Sequence, residues 1–159
     1  MDMKKIVFVV LISSIIAAFT TVGVTPSSSN SVRELSGYKL RTQEFSLRDF
    51  NLWFVTNQGT FDGTFVPENE NVLKPSFDNE WVVGAKVETQ ANVYNVTFRK
   101  AVLHKEVLSI YFGVEREADA KPGGGNVTLA TVTKNNTVKA VNFYHGNQLI
   151  KSIPVVNVY

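Results

Sequence analysis

Apolar and polar residues alternate with a period of two along most of the chain beyond Tyr38. In "VYNVTFRKAVL" (93–103), Tyr94, Val96 and Phe98 share one face while Asn95, Thr97 and Arg99 share the other. "EVLSIYFGVE" (106–115) puts Leu108, Ile110, Phe112 and Val114 together. "NLWFVT" (51–56), "EWVVGAKVE" (80–88), "GNVTLATVT" (125–133), "TVKAVNFYH" (137–145) and "SIPVVNVY" (152–159) are further runs rich in β-branched and aromatic residues. This period and this composition predict strands with one buried face. The connections "HKE" (104–106), "KNN" (134–136) and "HGNQ" (145–148) are short and polar. They predict antiparallel hairpins, because a parallel crossover takes a dozen residues or more. "READAKPGGGN" (116–126), with Pro122 and a run of glycines, reads as a mobile loop.

One segment departs from the alternation. "TNQGTFDGTFV" (56–66) spaces Phe61 and Phe65 four apart, and Thr56 or Asn57 can cap a helix. Its two glycines each cost roughly 1 kcal/mol in a helix interior. A short, poor helix laid against a sheet is expected. The fold class expected is all-β, or mainly β with one short helix: a small antiparallel β-sandwich or partly open barrel.

The N-terminus changes the picture of what is mature protein. Lys4 and Lys5 precede an apolar run from Ile6 to about Phe19. That length suits the core of a signal peptide better than a membrane span, which needs about 20 residues. Thr21 and Gly23 suit a cut after Gly23, so residues 1–23 are expected to be a signal peptide and the protein to be exported. An uncleaved anchor through residues 6–24 is the alternative, and only then does a membrane enter. "TPSSSNS" makes 24–36 a flexible leader, leaving 37–159 as a single β-rich domain of about 125 residues, large enough to bury a core unaided. The sequence has no cysteine, which removes disulfides, a thiolate nucleophile and a lipid anchor through an N-terminal Cys. Formal charge is +2, with the basic residues scattered singly apart from Arg99-Lys100, so nucleic acid is not an expected partner.

Chemistry is sparse. The histidines, His104 and His145, both fall at predicted turns, where solvated side chains are the plain reading and a catalytic base the sharper one. No G-x-S-x-G elbow surrounds any serine. "PENEN" (67–71) and "EREADA" (115–120) are rich in oxygen but lack the ligand spacing of a calcium loop, and "PGGGN" (122–126) lacks the Lys-Ser/Thr and helix of a phosphate loop. Asn95, Asn126 and Asn135 begin N-x-T sequons, which act as glycan acceptors only in a eukaryotic secretory pathway. "ETQANVYN" (88–95) reads as a bend between two strands, with Glu88, Thr89, Gln90 and Asn92 solvated. No catalytic residue, cofactor or metal is expected. The aromatic residues crowding the first half of the domain default to core, yet Trp53, Phe61, Phe65, Trp81 and Tyr94 are the candidate partner or ligand surface. The terminal "NVY" is a candidate to pair at a sheet edge.

The order of these elements resembles the C-terminal domain of the protease-complex subunit PrcB family. "WFVTNQGTFDGTF", "KPSFDNEWVVGAKVE", "VYNVTF" and "VLSIYFGVE" follow that order, over about residues 51–115. Phe77-Asp78 and Trp81-Val82-Val83-Gly84 match its F-D element and valine-rich strand, and Tyr94 takes the place of its tyrosine. Ala91, Asn92 and Val93 stand where the family has glycines. The resemblance implies a small exported bacterial β-domain that associates with or stabilises a partner protein, a protease in the naming member, and it brings over no catalytic residue. The function expected is therefore a non-enzymatic partner-binding domain. The alternative is a small-ligand carrier with an aromatic-lined cavity.

Overall fold

The computed structural model describes residues 28–42, 49–89, 92–118 and 126–156. The expected signal peptide, the start of the leader, the glycines of the 116–126 loop, Gln90 and Ala91 within the bend, and the terminal "NVY" lie outside them. In chain order the strands are β1 (Ser28–Asn30), β2 (Val32–Leu35), β3 (Tyr38–Leu40) and β4 (Phe50–Val55). A helix, α1 (Gln58–Thr64), and β5 (Phe65–Pro67) follow, then β6 (Glu80–Glu88), β7 (Val93–His104) and β8 (Val107–Glu117). β9 (Thr128–Thr133), β10 (Ala140–His145) and β11 (Gln148–Pro154) complete the set. The protein is mainly β with one short helix, as its periodicity predicts.

Nine strands make one mixed sheet in the order β11-β10-β8-β7-β6-β9-β2, with β4 on β6 and β1 on β7, while β3 and β5 form a separate pair. The sheet curls because one edge of β6 changes partner along its length. Glu80–Ala85 pair with β9, and Val87 and Glu88 pair with β7, so β7 leaves the plane and runs over the first half. The two halves then face each other like a sandwich without closing into a barrel. Trp81, Val83, Ala85 and Val87 point inward to Val96, Ala101, Leu108, Ile110, Phe112, Val141 and Phe143. Lys151 Nζ of β11 donates to the Leu52 carbonyl of β4 at 3.1 Å, tying the halves at one seam.

The outer side of β6 is buried too. Val82 and Leu129 pack with Leu35, Tyr38, Val55, Phe61, Phe65 and Val127 in a second cluster, beneath α1 and the β3–β5 pair. Every residue from Trp81 to Glu88 is therefore buried, which explains why this run is nearly continuous in valine rather than cleanly alternating. Gly84 is needed here: a Cβ would come within 2.9 Å of Leu129 and 3.3 Å of Trp53, whose ring crosses the strand. Helix α1 begins at Asn57, whose side chain accepts the Thr60 N–H at 2.8 Å, and its buried face is Phe61.

The structure corrects several expectations. Residues 28–36 are not a free leader: β1 pairs with Ala101–Leu103 of β7, and β2 pairs with β9, burying Leu35. Leu35 anchors the segment in the outer core, and Arg33 Nη2 adds a contact to both carboxylate oxygens of Glu80 of β6, at 2.8 and 2.9 Å. "KNN" is not a hairpin. β9 lies between β6 and β2, and after residues 134–139 the chain enters the other half, where β10 runs parallel to β8. The closing strand is Gln148–Pro154, earlier than the expected 152–159. Among the described residues no helix is long and apolar enough to cross a membrane.

Candidate functional site

The five aromatic residues nominated from the sequence do not form one surface. Phe61, Phe65 and Trp81 are 1–2% exposed and belong to the core, so for these three the surface reading gives way to packing. Trp53 is half-buried edge-on to Phe65 in the outer cluster, and Tyr94 is half-buried against the inner one, on the other side of the sheet. The rings are spent on one another: Phe54 meets Trp81, and Phe61 meets Tyr38, Phe65 and Phe77. None of the five lines either of two grooves formed by described residues. A groove of about 280 Å³ lies instead at the seam of β2 and β7, with Val32, Glu34, Val96, Thr97, Phe98, Thr128 and Ala130 around it. That is at the small end for a ligand site, and it offers one aromatic ring.

The histidines are far from equivalent. His104 is exposed at the β7–β8 turn. His145 is half-buried, not solvated, with its ring stacked on Phe112 at 5.9 Å and tilted against Phe50 at 6.4 Å. The parallel register of β10 with β8 causes this, since it sets His145 opposite Phe112 on the inward face. Among the described residues no three His, Asp or Glu side chains gather to hold a metal ion.

Several titratable groups lie in the fold itself. Glu88 is only 8% exposed, against the expectation of a solvated turn residue, and its Oε1 meets Lys86 Nζ at 3.1 Å while its Oε2 has no hydrogen-bond partner. Thr89 and Asn92, also expected to be solvated, are half-buried and close the bend on each other: Thr89 N–H donates to the Asn92 carbonyl and Asn92 N–H to the Thr89 hydroxyl. Burial pushes the Glu80 carboxyl upward, but hydrogen bonds from Arg33, the Ser76 N–H and Thr131, with the Arg33 charge, outweigh it and hold the group below its ordinary range. Burial and the nearby Asp62 charge raise the Tyr38 phenol, which donates to the Leu73 carbonyl.

The feature that stands apart is a face without a cover. The curled sheet has two outer sides. One lies beneath α1 and β3–β5, and the other, formed by β7, β8, β10 and β11 with β1 along the edge of β7, has no described element over it. Along it the register brings Lys100, Tyr111, Tyr144 and Leu149 into one row across the four strands. The two tyrosine rings stack 5.1 Å apart and within 16° of parallel. Lys100 Nζ sits 4.6 Å from the centre of the Tyr111 ring. Arg99, displaced by a bulge between Phe98 and Lys100, lies flat over Gly113, where a Cβ would come within 2.6 Å of the guanidinium. The next row is Val102, Ser109, Asn142 and Ser152, with the occluded Asn142 Oδ1 unsatisfied. Leu149, 49% exposed, ends the tyrosine row.

Sequence reasoning passed over this row. Alternation alone turns Tyr111 outward, between Ile110 and Phe112, but only the parallel pairing of β8 with β10 sets it beside Tyr144. Comparison with known protein families, curated proteins and solved structures gives no match for this chain. What the face can do follows from its chemistry: it offers fixed cations, ring edges and a short apolar end to a surface laid against it.

Proposed function

We propose that this is an exported, non-enzymatic β-domain whose work is to associate with a partner protein. The observation that carries the reading is the sheet face over which no described element lies, where two tyrosines, an arginine and a lysine are held in fixed geometry. Tyr and Arg are the residues on which protein interfaces concentrate their energy. The signal-like N-terminus supports export, and the resemblance over about residues 51–115 favours a protease complex as the kind of assembly joined. The ligand-carrier alternative ranks lower, because the candidate rings pack against one another and the seam groove is small.

The test is chemical crosslinking in the cells that make the protein, before extraction, followed by mass analysis of the products. A reproducible adduct with one other protein is expected, on a chain beginning near Val24. Repeated recovery of the protein alone would contradict the reading.

A further inference from the structure

We infer, resting on the partner-binding reading above, that the face of β7, β8, β10 and β11 docks an acidic segment of the partner. Arg99 and Lys100 receive its carboxylates, and Tyr144 and Leu149 its apolar neighbour. Charge is the first argument. The ion pairs among the described residues are Arg33–Glu80, Lys86–Glu88 and Lys139–Glu106. Arg99 and Lys100 enter none of them, although they are adjacent and exposed on one face. Gly113 clears the space in which the guanidinium lies, and Tyr111 supports the ammonium through its ring face. Both cations are therefore positioned before anything binds, which lowers the entropy cost of pairing them with carboxylates.

Ring geometry argues for side chains over a sugar. Tyr111 has one face against Tyr144 and the other against Lys100, and the far side of Tyr144 is flanked by Leu149. Neither face of Tyr111 is open for a pyranose ring to lie on. What the tyrosine row leaves on offer is ring edges, cations and the aliphatic Leu149. Size argues for a segment over a globular surface. The row from Lys100 to Leu149 crosses four strands at ~4.8 Å spacing, a line of about 14 Å that about four residues of extended chain would cover.

The experiment places photoreactive benzoylphenylalanine at position 149 of the full chain, with position 60 on the exposed side of α1 as the comparison, in the cells that make the protein. The expected result is an adduct from 149 and not from 60, to a partner peptide rich in Asp and Glu. The pair Arg99→Glu with Lys100→Glu should lower its yield about tenfold or more, since like charges then oppose. Both positions are exposed, and thermal melting checks that the variant folds; Arg99→Gln with Lys100→Gln is the milder pair should reversal disturb folding, and it should lower the yield in the same direction. An adduct from 149 to a glycan, a nucleic acid or a second copy of this chain overturns the inference. So does an adduct to a neutral or basic peptide, or one indifferent to both variant pairs. An adduct from 60 alone overturns the face while leaving partner binding intact, and no adduct from either position, together with no product in the chemical crosslinking above, removes both.

Discussion

At the scale of single residues the clearest tension is the ion pair of Lys86 and Glu88, two charges taken out of water on the strand that holds the molecule together. Such a pair is costly to bury and costlier still to break. Removing one partner strands the other, at about 3–5 kcal/mol, whereas replacing both with apolar residues of similar size is often close to neutral. Glu88→Leu and Lys86→Met should each lower unfolding stability by about that amount, and the double variant should recover most of the loss. Denaturant unfolding of the three variants checks this. Singles costing under about 1 kcal/mol would mean that water reaches the pair. Nothing in "AKVET" announces this burial, because a polar residue next to a bend reads as solvated. The cause is tertiary: Lys86 and Glu88 share a side of β6 with Val82, and burial runs along that side up to the bend.

At the scale of elements, local signals were legible and long-range pairings were not. The boundaries of β6 and the cap of α1 can be read from residues 80–88 and from Asn57, since both depend on neighbours in the chain. β2 could not be read this way. "SVRELSG" looks like linker, and it becomes a strand only because Leu35 reaches the outer core and Arg33 finds Glu80 across β9. The Glu80 carboxyl titrates below its ordinary value of 4.5, so the clamp's contribution is fully present above that value and is lost as the pH falls through the lower folded value. Being partly exposed, the pair is worth a few tenths to about 1 kcal/mol. Melting temperatures of the parent and Glu80→Gln should therefore differ at pH 7 and converge on acidification below 4.5. A difference that persists unchanged into strong acid would contradict the clamp.

At the scale of the molecule, period-two patterning was enough to give the class, a mainly β fold with one short helix. It was silent on the handover of β6 from β9 to β7, which curls the sheet, and on the parallel β8–β10 pairing, which assembles the tyrosine row. The candidate surface chosen from the sequence was for that reason largely core: bulk and aromaticity mark Phe61, Phe65 and Trp81 equally well for either role. Tyr111 and Tyr144 lie far apart in the chain, and only the topology makes them neighbours. The central claim is that this uncovered face is occupied in the cell. The most direct measurement is the acylation rate of each lysine by a small amine-reactive reagent, in intact cells and on the purified protein, read by mass spectrometry. The account predicts that Lys100 is several-fold protected in cells while the exposed Lys39 and Lys74, away from the face, react alike in both. Equal rates at Lys100 in cells and in isolation would contradict it.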